Sequence, residues 1–174
     1  MYCYTDGFIS QKPVKRDAEI CGVVAFKWKH ECFCWALRQV ELPFSSDGIN
    51  FCDDWEKLDG YRATKLIAEQ AKEQGKRAEA VRFCLDFQPT VCCANEVFLP
   101  SKREFMLSLG HLDVISDSLK RIDTPAMDYG AMYWTASGQC LYPVWLAGVG
   151  YNFGFGFVPL DRKCRVWPMF RLKF

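Results

Sequence analysis

Histidine is almost missing from this chain: His30 and His111 are the only two in 174 residues. No CxxC, HExxH, GxGxxG, GxSxG or phosphate-loop pattern occurs. With them go the usual sequence signatures of zinc sites, nucleotide binding and serine hydrolysis. An excess of charge of either sign is also missing. The net charge is +1, which argues against a nucleic-acid partner and against a polybasic membrane-binding surface. The first 20 residues are polar and lack the apolar segment of a secretory leader. One local absence is larger than these. Residues 129–160 hold no charged side chain although 25% of the chain is charged, where about eight charges are expected.

That uncharged run reads YGAMYWTASGQCLYPVWLAGVGYNFGFGFVPL and holds nine aromatics and six of the twelve glycines. Its glycines, together with Pro143, Pro159, Gln139 and Asn152, exclude a spanning helix, which needs about 20 predominantly apolar residues in succession. No membrane insertion is expected. Two readings remain: a buried core segment, or a neutral aromatic surface of the kind that binds a partner.

Length and composition describe one globular domain, residues 1–174, with 50% apolar and 16% aromatic residues. Glu19–Phe26 and Cys32–Leu37 are apolar runs joined by a polar turn, which predicts a hairpin. Ala63, Leu66, Ile67, Ala68 and Ala71 recur at helical spacing over 61–74, and a second short helix is expected over 78–85. Ser101 to Glu104 fits a capping box opening a helix that Gly110 ends, and another follows over 114–122. Tyr151, Phe153, Phe155 and Phe157 alternate with other residues, so a strand there places the four aromatics on one face. Cys164 to Phe174 reads as a closing strand, with Pro168 marking an edge or a bulge. Strands, then two or three helices, then strands make an α+β layout.

A catalytic constellation is hard to assemble. His30, Glu31 and Cys32 could be read as a Cys/His pair, but His30 and Glu31 belong to the polar turn from Lys27 to Glu31 that precedes the strand. Asp53 and Asp54 read as a solvated turn. The ten cysteines, including Cys32, Cys34 and the adjacent Cys92 and Cys93, lack the histidines and the CxxC spacing of a zinc site, and read as free or structural thiols. No enzyme, metal or cofactor is expected.

The order of short motifs resembles a family, the bacterial and phage C-type-lectin-like domains of the YWSST/VRPV type. Many of these are variable proteins of diversity-generating retroelements. Tyr4-Thr5-Asp6-Gly7 is similar to the family's opening YSDGT, Ile20 to Val24 to its IGVVF strand, and Asp59 to Thr64 to its DGxxNT helix entry. Phe98 to Ser101 with Glu104 resembles WYLPSxxEL, Tyr133 to Ser137 resembles YWSST, Val144-Trp145 stands for AW, and Arg165 to Pro168 with Phe170 for VRPVxxF. The asparagine of DGxxNT and the acidic residue after YWSST are missing here, and Trp167 is extra.

The resemblance implies a rigid C-type-lectin-like scaffold that displays the residues between the YW and VRP motifs, about 138–164, as a hypervariable ligand-binding surface. In that family, variation at AAC codons yields NNC, which cannot encode Lys, Glu, Gln, Met or Trp. From 138 to 162 only Gln139 and Trp145 fall outside the NNC set. The implied ligand-contacting residues are Gln139, Cys140, Leu141, Tyr142, Leu146, Gly148, Gly150, Tyr151, Asn152, Phe153, Phe155 and Phe157. Stiff aromatics supply contact area there at low entropic cost, and Gly and Asn supply adaptability. Tyr133, Trp134 and Trp145 are assigned to the scaffold. The implied partner is a protein or glycan on a cell surface, and the implied location a phage tail or bacterial surface. The alternative is an adhesive or structural subunit of a fimbria or tail whose aromatic patch packs against a neighbouring subunit. The formylglycine-generating oxidases share a similar fold, but their paired active-site cysteines have no placeable counterpart here.

Overall fold

The computed structural model describes residues 1–50, 59–87, 96–146 and 150–173, and for 143–146, 150 and 151 the backbone alone. Cys52, Asp53, Asp54, Cys92, Cys93 and Gly148 lie outside the described residues. The chain is α+β. Strands β1 (Tyr2–Tyr4), β2 (Ile9–Ser10), β3 (Ile20–Trp28), β4 (Glu31–Ala36) and β5 (Val40–Pro43) lead to helices α1 (Gly60–Glu73) and α2 (Glu79–Asp86). Strand β6 (Val97–Phe98), α3 (Lys102–Leu109) and α4 (Leu112–Lys120) follow. The C-terminal third is β7 (Tyr133–Trp134), β8 (Cys140–Leu146), β9 (Gly150–Gly156), β10 (Lys163–Val166) and β11 (Met169–Lys173). These strands form two sheets, ordered β2-β1-β3-β4-β11-β6 and β5-β10-β7-β8-β9.

The expected hairpin is β3–β4, closed where Trp28 pairs with Glu31, with Lys29 at φ 54 in the left-handed region. Alternation along these strands buries both faces of the first sheet. One face carries Tyr2, Tyr4, Val23, Phe33 and Trp35 against Phe105, Ile115 and Leu119 of the helices, with Trp167 stacked on Trp35 at 4.3 Å between ring centroids. The other face carries Cys3, Val24, Cys32, Cys34, Phe170 and Leu172. A second core joins Ile67, Val81 and Cys84 of α1 and α2 to Trp134, Cys140, Cys164 and Val166 of the second sheet.

Four helices are present among the described residues, where the layout had two or three; their boundaries depart from the sequence reading by one or two residues, α4 beginning two residues before the 114–122 expectation. Gly110 does end α3, but at φ −61, with His111 leading directly into α4. The closing strand is corrected more substantially. Cys164 to Phe174 is not one strand: β10 belongs to the second sheet and β11 to the first. Proline has no N–H for a ladder, so pairing breaks at Pro168. Its carbonyl accepts from the Ala36 N–H, and the Trp167 indole donates to the Ala36 carbonyl at 2.8 Å. The crossing point is thereby stitched to β4.

Glu104 organises the helix entries. Ser101 and Glu104 form the capping box, and the same carboxylate oxygen accepts from the Gly60 N–H at 3.1 Å, at the start of α1. A Cβ on Gly60 would lie 2.4 Å from that oxygen and 2.7 Å from the Leu99 carbonyl, so only glycine fits. Burial raises the Glu104 pKa, while the bonds from Ser101 and Gly60 work in the opposite direction. Trp134 adds a link between elements, its indole donating to the Leu42 carbonyl at 3.0 Å.

Candidate functional site

The β8–β9 hairpin holds most of the residues expected to bind, and it begins as scaffold. After the buried pair Tyr133 and Trp134, the chain folds back through Thr135 to Gly138, with Gly138 at φ 66. The Gln139 carbonyl receives both the backbone N–H and the hydroxyl of Thr135, at 2.9 and 2.8 Å. Cys140 then pairs with Trp134 and Leu141 with Tyr133. Leu141 enters the core above the helices, and Cys140 enters the core with α1 and α2. Because the strand is covered on both faces, Gln139, Cys140 and Leu141 are buried, and the expectation that 139–142 is displayed holds for Tyr142 alone. The thiol pair Cys140 and Cys164 is part of this interior. Their hydrogen bond holds the Cys140 pKa up, burial adding to it, and pulls the Cys164 pKa down against burial.

Beyond Leu141 the environment changes. Pairing with β7 stops at Tyr133↔Leu141, so Pro143 sits past the end of β7, where a missing N–H costs no ladder bond on that side. Tyr142, opposite Gly154, is 37% exposed and lays its ring over the facing strand. A Cβ on Gly154 would come within 2.7 Å of that ring, and one on Gly156 within 3.1 Å. The alternation of Phe and Gly along β9 therefore has a local cause: glycine faces the tyrosine on one side while phenylalanine packs on the other.

Phe153 and Phe155 are half-buried against the core above the helices. Phe153 lies 6.4 Å from the Tyr129 ring, and the Lys102 ammonium stands 5.2 Å over Phe155. Phe157 does not share their environment. It lies one residue beyond β9 and is 81% exposed, so the expected four-aromatic face contains Phe153 and Phe155 with Phe157 projecting separately. Asn152 is exposed, and its Oδ1 accepts from the Phe153 N–H at 2.8 Å. That amide is thus held by the side chain of its own neighbour. Leu146, Gly150 and Tyr151 are placed by backbone register in the same hairpin, Leu146 opposite Gly150 and Trp145 opposite Tyr151.

β9 is the last strand of its sheet, and among the described residues nothing pairs with its outer edge. Unpaired strand edges recruit further strands unless charge, proline or a bulge blocks them. β9 has no charge and no proline in its seven residues. This edge was not evident from sequence, although part of the signal was there: a strand free of lysine and of any other charge.

No protein-family model and no curated protein matches the chain. Among solved structures, it is similar to a fimbrial protein from Bacteroides ovatus, with a TM-score of 0.69 and 12% identity. The likeness covers 98% of this chain and 48% of that one, so the chain spans about half the length of that protein. At such identity the likeness is one of fold.

Proposed function

We propose that this chain is a non-catalytic adhesive or structural subunit of a bacterial surface appendage, which packs against a neighbouring copy through the free edge of β9. The observation that carries the reading is that edge: uncharged, unpaired among the described residues, and flanked by the projecting Phe157 and the half-buried Phe153 and Phe155. Association through it would add main-chain hydrogen bonds and cover aromatic area at the same time. The fold shared with a fimbrial protein along nearly the whole chain supports it.

Sedimentation velocity across a concentration series tests this reading. Concentration-dependent association that weakens in Phe157→Ser is the expected result. A monomer at every concentration contradicts it.

A second reading keeps the same face and changes its occupant: a C-type-lectin-like domain, diversified by a retroelement, that displays the hairpin to a ligand on another cell. The observation favouring it is the run of NNC-encodable residues, which continues through Tyr142, Asn152, Phe153, Phe155 and Phe157. A template repeat beside the gene, differing from codons 138–162 only at adenines, would distinguish it.

A further inference from the structure

A second concavity lies away from the hairpin, between the β3–β4 turn, the N-terminal ends of α1 and α3, and β11. Its volume is about 350 Å³, at the small end of ligand sites. We infer that this cavity is a binding site for a neutral saccharide, on the strength of how its polar groups are spaced and balanced.

Three carboxylates, Glu31, Asp59 and Glu104, and three guanidinium groups, Arg62, Arg103 and Arg171, line it. Equal numbers of each sign favour a ligand without net charge. The Oε2 of Glu104 is already engaged by Ser101 and Gly60. Asp59 Oδ1 caps α1 by accepting from the Arg62 N–H, and the remaining charged groups of the lining meet only as long ion pairs. Arg171 gives its Nε to Glu96, and its Nη1 lies 3.7 Å from Glu31 and 4.0 Å from Asp59. The Arg62 Nε is likewise 3.7 Å from Asp59. These separations exceed a hydrogen bond, and such gaps are where a bridging oxygen belongs.

A hydroxyl is the group that fits there, since it accepts from a guanidinium while donating to a carboxylate. Several gaps in one cavity call for several hydroxyls on one frame. Burial lowers the Arg171 pKa, and the Glu96, Glu31 and Asp59 carboxylates outweigh it, so the guanidinium stays charged and fixed for that role.

The rim supplies the second half of the chemistry. Trp28 is 45% exposed, and the Arg103 guanidinium stands 5.5 Å from its ring centroid. An exposed indole beside fixed polar groups offers the apolar C–H face of a sugar ring a stacking surface. A simple anion would use neither the indole nor the balanced walls, and the cation–π place over the indole is already taken by Arg103.

Ligand-observed NMR titration with methyl hexopyranosides and methyl N-acetylhexosaminides tests the inference. Saturable binding near about 1 mM is expected, weakened about tenfold in Trp28→Ala and in Glu31→Gln. Trp28 is at the surface, so the variant should keep its melting temperature, which is checked alongside. Phe157→Ser should bind as the parent does, which separates this site from the hairpin. No saturable binding of any neutral glycoside up to about 50 mM, or binding that neither substitution weakens, would overturn the inference. So would tighter binding of a uronate or an amino sugar than of every neutral glycoside.

Discussion

The uncharged run contains two regions that look alike in composition and differ in what surrounds them. Residues 133–141 form a strand, a turn and the first residues of β8, paired to β7 and covered on both faces. Residues 142–146 and 150–156, with Phe157 just beyond, form the outer part of the same hairpin, where β7 no longer reaches and, among the described residues, nothing pairs with the outer edge of β9. Absence of charge has a different cause in each. In the inner part a charge would be buried without a partner at a large cost. In the outer part Tyr142, Asn152 and Phe157 meet solvent, where a charge costs little. There, neutrality leaves the edge open to another strand.

Substitutions graded along the run sharpen this contrast. Leu141→Ala, in the inner part, should have the largest effect, about 2–5 kcal/mol of lost stability by chemical denaturation. An effect under about 1 kcal/mol would show that the inner strand is less enclosed than its burial indicates.

Gly154→Ala comes next, with a cost of up to about 1 kcal/mol as the Tyr142 ring is pushed off β9. Because only the far end of one half-exposed side chain must move, the penalty should vanish in the Tyr142→Ala background. A double-mutant cycle with no coupling would break the proposed link between the ring and the glycines.

Phe157→Ser should change stability least, within about 0.5 kcal/mol. A clear drop in melting temperature would place Phe157 with the scaffold rather than with the displayed part.

Legibility in the sequence followed the range of the interactions involved. The Ser101 to Glu104 capping box, the β3–β4 hairpin and the periodicity of α1 are set within a few residues of each other, and all three could be read directly. The second task of Glu104, on Gly60, joins residues 44 apart and left no local pattern beyond a glycine at a helix start. The split of the closing strand was half visible: Pro168 marked the break, but which sheet each half joins depends on β4 and β7, far away in sequence. For the candidate site, Tyr142, Phe153 and Phe155 stand out by their aromatic content, and they fall together in the β8–β9 hairpin. The burial of Cys140 and Leu141 was missed because a turn such as Thr135 to Gly138 says that a chain folds back, not that both faces of the returning strand are covered. The alternation of β9 was read as a strand face. Its glycines are as informative, being the seats for a ring on the neighbouring strand.

The account stands most directly on the outer edge of β9, and amide hydrogen exchange read at Phe153 and Phe155 over a concentration series addresses that edge. Both amides should become more protected as concentration rises, while the buried amides of Cys140 and Leu141 stay protected throughout. Exchange at Phe153 and Phe155 that is fast and independent of concentration would contradict the claim that this edge is where the protein meets its neighbour.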